Sequence, residues 1–160
     1  MPRFQKPLPL LAALVLVAVA LTITAAPASA AEIDFGARAG GYLEDSDPFL
    51  GLELLMPLGS SDWYFNPNVE FVFADERDRV ILNLDAHYDF RRTGDYYLWA
   101  GGGLAGIHRD ATRGRDSEND LGLNLLGGIG WRLEGMTPYA QVKVVLADDS
   151  ELVAAVGIRF

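Results

Sequence analysis

Apolar and polar residues alternate with period two along most of the chain after residue 31. The clearest segment is "VILNLDAHYDF", Val80 to Phe90. Val80, Leu82, Leu84, Ala86, Tyr88 and Phe90 fall on one side of an extended chain. Ile81, Asn83, Asp85, His87 and Asp89 fall on the other. A helix would mix the two sets, whereas a strand separates them. "WYFNPNVEFVF" divides in the same way, with Trp63, Phe65, Pro67, Val69, Phe71 and Phe73 opposite Tyr64, Asn66, Asn68, Glu70 and Val72. The pattern predicts eight strands, at about 32–42, 49–57, 63–73, 79–90, 96–107, 120–132, 138–147 and 151–160. Most exceed the roughly five or six residues of an ordinary globular strand. They suit the about 9–11 residues that a tilted strand needs to cross a bilayer. Turn chemistry separates them in "EDSDP", "LGSSD", "ADERD", "RRTGD", "EGMT" and "DDS".

An all-β chain of this kind closes most readily into an eight-stranded antiparallel up-and-down barrel, because closure removes the exposed edges. Alternation alone does not say which face meets water. A soluble lipocalin-like barrel turns its apolar face inward around a ligand, and a membrane barrel turns it outward against lipid. Three features favour the membrane form. First, 11 of the 16 aromatic residues after Ala30 fall at one end of the strands. Trp63, Phe65, Tyr88, Phe90, Trp131 and Phe160 are the core of this expected girdle, and rings of this kind favour a bilayer interface. Second, the longest and most charged connection, "RDATRGRDSEND", lies at the opposite end, as the long outer loops of outer-membrane barrels do. Third, the face opposite the apolar one holds Asp34, Arg38, Glu53, Asn66, Asn68, Glu70, Asn83, Asp85, Asp89, Asn124, Gln141 and Lys143. The apolar face carries almost no charge, a condition that hydrocarbon imposes and water does not. Of the polar set, Arg38, Glu53, Glu70, Asp85 and Lys143 are expected to form a paired network inside the barrel. Such a network acts as a plug or lines at most a very narrow pore, because eight strands leave an interior just wide enough for side chains to fill.

Glycine supplies about 13 % of the residues after Ala30, against an average near 7 %. It clusters in "WAGGGLAGI" and "LLGGIGW", where it lets strands bend and makes room for large neighbours. The strand over 96–107 is the least decided in its facing; Leu98, Ala100, Gly102 and Leu104 are expected outward.

Residues 1–30 read differently. Arg3 and Lys6 precede a long apolar run that ends in Ala28-Ser29-Ala30. This is the layout of a cleaved secretory signal, with a barrel domain over 31–160. A retained membrane anchor is the rival reading. No cysteine follows the run, so no lipoprotein is expected, and a cysteine-free exported chain has no disulfide framework. Without Arg3 and Lys6 the chain has 11 basic and 22 acidic residues, a net charge of −11. That excludes a nucleic-acid footprint.

The strand count, the segment "YYLWAGGGLAGI" and the last strand, with Leu152, Ala154, Val156, Ile158 and a final Phe160, resemble the small eight-stranded outer-membrane barrels of the OmpX and OmpA type. No further domain is expected after the barrel, and the resemblance is to the short OmpX-like form. It implies an integral outer-membrane protein of a Gram-negative bacterium, expected as a monomer. It implies outer-membrane lipid and lipopolysaccharide around the barrel. Periplasmic chaperones and a barrel-insertion machinery that reads the alternate apolar residues ending in Phe160 are its implied partners. Roles on this fold range from surface interaction to lipid modification. Enzyme chemistry has little support, and no cofactor or metal is expected. His87 stands on the predicted lumen face between Asp85 and Asp89. His108 stands at the outer end of its strand near Asp110 and Ser117, without a compact His-x-Ser arrangement. The acidic connections with Glu44, Asp45, Asp47, Asp148 and Asp149 lack cation-loop spacing and are expected as solvated loops.

Overall fold

The computed structural model describes residues 33–75, 77–109 and 116–160. The expected signal segment, 1–30, and positions 110–115 of the longest connection lie outside the described residues. The eight strands are β1 (Asp34–Tyr42), β2 (Asp47–Pro57), β3 (Trp63–Val72), β4 (Arg79–Thr93), β5 (Tyr96–Arg109), β6 (Glu118–Trp131), β7 (Thr137–Leu146) and β8 (Ser150–Arg159). Each pairs antiparallel with the next, and β8 returns to β1, so the ring is closed. At the seam Phe35 and Phe160 exchange both backbone hydrogen bonds, at 3.2 and 2.8 Å, and pairing runs on from Gly36↔Arg159 to Tyr42↔Val153.

Strand limits differ from the expected ones by at most three residues. The largest difference is at the end of β4. A register shift after Asp89 inserts one extra residue there, and β4 continues to Thr93 opposite Tyr96. A bulge of this kind turns the strand without ending its pairing. The connections β2–β3, β4–β5 and β6–β7 lie at one end, the turn end. Each contains a glycine in the left-handed region, Gly59, Gly94 and Gly135, with φ of 68°, 65° and 77°. A side chain there would meet its own backbone, so tight turns of this type favour glycine. The other four connections form the loop end.

Alternation resolves into two faces. Leu50, Leu52, Leu84, Leu104, Leu125, Val142 and Val156 are exposed on the outside. Arg38, Glu53, Asn68, Glu70, Asn83, Asp85 and Lys143 are buried in the lumen. β5 takes the expected facing: Tyr97, Trp99, Ala105 and Ile107 are buried, while Leu104 is 56 % exposed. Among the described side chains, no outward position on any strand carries a charge.

Lumen glycines admit the large side chains of neighbouring strands. Trp99 lies over Gly128, where a Cβ would fall 2.2 Å from Trp99 Cζ2 and 2.8 Å from the Ala140 carbonyl oxygen. Gly128→Val is therefore expected to destabilise the barrel by about 1–3 kcal/mol, the usual range for overpacking. The check is denaturant unfolding of the refolded protein, with Trp99→Leu recovering part of the loss in the double variant.

Candidate functional site

Four layers fill the lumen between the turn end and the loop end. The first is aromatic. Of the rings expected at the turn-end rim, Trp63, Phe65, Tyr88, Phe90, Trp131 and Phe160 face outward, with Phe160 65 % exposed, and Phe35 joins them at the seam. Tyr97, Trp99 and Tyr139 instead turn inward and pack as one buried cluster with Leu126. Rim position is thus shared by two sets of rings, and strand parity decides which set faces lipid. Arg159 lies 4.3 Å from the Tyr139 ring centre and 5.4 Å from that of Trp99, a cation–π arrangement. His87 stacks between Tyr64 and Trp99, and its Nε2 is 3.6 Å from Asp89 Oδ1.

The second layer is the charged network. All five expected members, Arg38, Glu53, Glu70, Asp85 and Lys143, are buried in it. Lys143 Nζ donates to both Glu70 carboxylate oxygens, at 3.0 and 3.1 Å. Arg38 is 3.3 Å from Glu70 and 3.8 Å from Glu53. Asp85 accepts from Asn68 at 3.1 Å and Asn124 at 2.7 Å. Arg159, on the inward parity of β8, is buried in the lumen beside this set. Its Nε donates to Glu53 Oε1 at 2.8 Å, reaching from β8 to β2 across Gly36 of β1. Alternation gave its facing. Its partner depends on a contact that skips a strand, and no local pattern encodes that. With Arg159 included, three cations face three carboxylates. Buried charges persist when so paired, and Arg38, whose guanidinium makes no hydrogen bond, is held by the charges of Glu70 and Glu53.

The third layer was not anticipated. Tyr42, Phe49, Val72, Ile81, Ala105, Ile107, Val145, Val153 and Ala155 form a single apolar cluster inside the lumen. On β3, β4 and β7 they interrupt inward rows that are otherwise mainly polar, but on β5 they do not, so alternation marks their facing and not the layer they form. Tyr42 joins the layers, since its hydroxyl donates to Glu70 Oε2 at 2.5 Å while Arg79 stands 4.8 Å from its ring centre on the other side.

The fourth layer is a cup of about 790 Å³ open at the loop end. Arg79 crosses its floor, donating to Glu151 at 2.6 Å and Asp47 at 3.1 Å. Arg109 pairs with Asp120, and Arg77 with Glu118. The expected loop acids Glu44, Asp45, Asp148 and Asp149 line the wall, and Glu44 accepts the Leu152 backbone N–H at 2.7 Å. His108 stands on the outer surface near this end, with its Nδ1 2.7 Å from Asn119 Oδ1.

A closed ring of eight antiparallel strands, with no charge on its described outward side chains, has the fold of the small outer-membrane barrels. Solved structures bear out the fold. The N-terminal β-barrel domain of Pseudomonas aeruginosa OprF superposes with a TM-score of 0.70 at 16 % identity, covering 80 % of this chain and 95 % of that one. Neisserial surface protein A gives 0.52 at 12 % identity over 79 % and 92 %. The outer membrane enzyme PagL gives 0.55 at 16 % identity over 79 % and 98 %. No protein-family model matches the chain, and neither does any curated protein sequence. At these identities the likeness is one of fold, and the fold carries enzymes and non-enzymes alike.

Proposed function

We propose that the chain is an integral outer-membrane barrel with a structural or surface-interaction role, that it performs no catalysis, and that its lumen is plugged. The observation that carries this reading is the absence of charge from the described outward side chains of the strands, paired with a buried lumen network in which three cations face three carboxylates. Residues 1–30 direct export, the turn end with its outward rings faces the periplasm, and the loop end faces outside. Outer-membrane lipid and lipopolysaccharide surround the outward face, and the barrel works as a monomer.

A gel run with and without boiling tests the membrane reading, because a detergent-folded barrel shifts in mobility on heating. Recovery in the soluble periplasmic fraction without detergent would defeat it. Purified refolded protein is expected to show no lipid or ester hydrolysis, and turnover would overturn the non-catalytic part.

Leu152, Ala154, Val156 and Ile158 form the outward row of β8, Phe160 continues it past the end of the strand, and Phe160 serves as the terminal element recognised by insertion machinery. Phe160→Ala is expected to lower the amount of barrel in the outer membrane more than it lowers the stability of protein refolded in detergent. Equal outer-membrane levels for variant and wild type, measured by fractionation and blotting, would count against this role.

A further inference from the structure

The geometry points to the apolar layer as the seal of this barrel, dividing a cation-concentrating cup from the charged interior beneath it. Seven strands contribute to the layer: Tyr42 from β1, Phe49 from β2, Val72 from β3, Ile81 from β4, Ile107 from β5, Val145 from β7 and Val153 from β8. The remaining strand, β6, presents Gly122, and a Cβ there would stand 3.1 Å from Val145 Cγ1, so Val145 covers that sector. The ring of apolar side chains is therefore complete. A constriction lined in this way excludes water and ions by dewetting.

Above the layer the balance of charge is one-sided. Among the described residues, nine carboxylates and three guanidinium groups line the cup. All three guanidiniums are taken up in ion pairs, Arg77 with Glu118, Arg79 with Asp47 and Glu151, and Arg109 with Asp120. The mouth thus carries a negative field that raises local cation concentration. An opened seal would pass cations in preference to anions. The seal, rather than the Lys143–Glu70 pair, sets whether the barrel conducts. This inference rests on the membrane reading above.

Two measurements test it on the full chain, refolded and checked by its heat shift. In planar bilayers under a KCl gradient, wild type and Lys143→Met are expected to carry no steady current. Phe49→Ser/Ile81→Ser is expected to carry one whose reversal potential marks cation preference. The second measurement uses the absence of cysteine from the chain. Ala147 lines the cup and packs against the layer, while Ala155 lies at its lower edge, opposite Gln141 in register. A charged methanethiosulfonate reagent should modify Ala147→Cys and leave Ala155→Cys unmodified, and should reach both in the Phe49→Ser/Ile81→Ser background. The seal is overturned by a wild-type current that Lys143→Met abolishes. It is equally overturned by modification of Ala155→Cys in the wild-type background, or by a heat-shifted double-serine variant that neither conducts nor admits the reagent. The labelling pair reads the layer whether or not the barrel lies in lipid. Failure of the seal is thereby distinguished from failure of the membrane reading, which the heat shift reports.

Discussion

Glu70→Ala is expected to destabilise the folded barrel by roughly 3–5 kcal/mol, the loss that follows when one partner of a buried ion pair is removed. The Glu70 side chain is fully buried and answers two cations, Lys143 at 3.0 Å and Arg38 at 3.3 Å, as well as the Tyr42 hydroxyl. Its removal strands both cations. Glu53 cannot absorb Arg38 fully, because it already holds Arg159 at 2.8 Å and accepts from Asn66 at 3.1 Å. Glu70→Gln should lose less, since the amide oxygen still accepts from Lys143. Adding Lys143→Met to Glu70→Gln should recover part of the loss, because the buried network then regains equal numbers of cations and carboxylates. Denaturant unfolding in vesicles of wild type, Glu70→Gln, Lys143→Met and the double variant gives the cycle, with Glu70→Ala measured beside them. A Glu70→Ala barrel within about 0.5 kcal/mol of wild type would place it with ordinary surface changes and would refute the network's structural weight.

Val142→Arg is expected to destabilise the lipid-inserted barrel by about 2–4 kcal/mol, and Leu121→Arg by only about 0–1, because the penalty for a cation on the lipid face depends on depth. Val142 lies in the middle of β7, 59 % exposed, with Gly127 and Ala154 as its register neighbours. Leu121 is 85 % exposed near the loop end of β6. Water outside the barrel would give a different result. Both substitutions would then be ordinary surface changes within about 0.5 kcal/mol of neutral. Comparing the two variants in vesicles of one composition separates these cases. Equal effects at the two positions would argue against a bilayer around the strands.

Period-two alternation made the strands, their number and their facing legible in the sequence, since one misplaced residue would put Asp85 into lipid and Leu84 into the lumen. The aromatic rim was legible only in part. Trp131 and Tyr139 reach the same end, but one is on an outward parity and the other on an inward one. The five network residues were found because their polarity stands out in strands otherwise rich in Leu and Val. Arg159 was harder to assign, because its carboxylate partner lies across an intervening glycine on another strand. The apolar layer was harder still. Phe49, Val72 and Val145 look locally like any strand residues, and only closure of the ring brings them together from separate strands. Patterning along a strand was therefore readable, and contact across the cylinder was not.

That distinction bears on how the barrel assembles. Lys143 and Glu70 stand on β7 and β3, and Arg79 and Glu151 on β4 and β8, so both pairs tie opposite walls of the ring. Arg159 and Glu53 meet across the seam itself. None of these pairs can form within a single hairpin. A partly zipped sheet would hold its charges unmatched, at an energetic disadvantage that disappears only when the last strand docks. The filled lumen thus rewards completion over any intermediate. Its geometry favours a barrel that folds and unfolds as one cooperative unit instead of opening strand by strand.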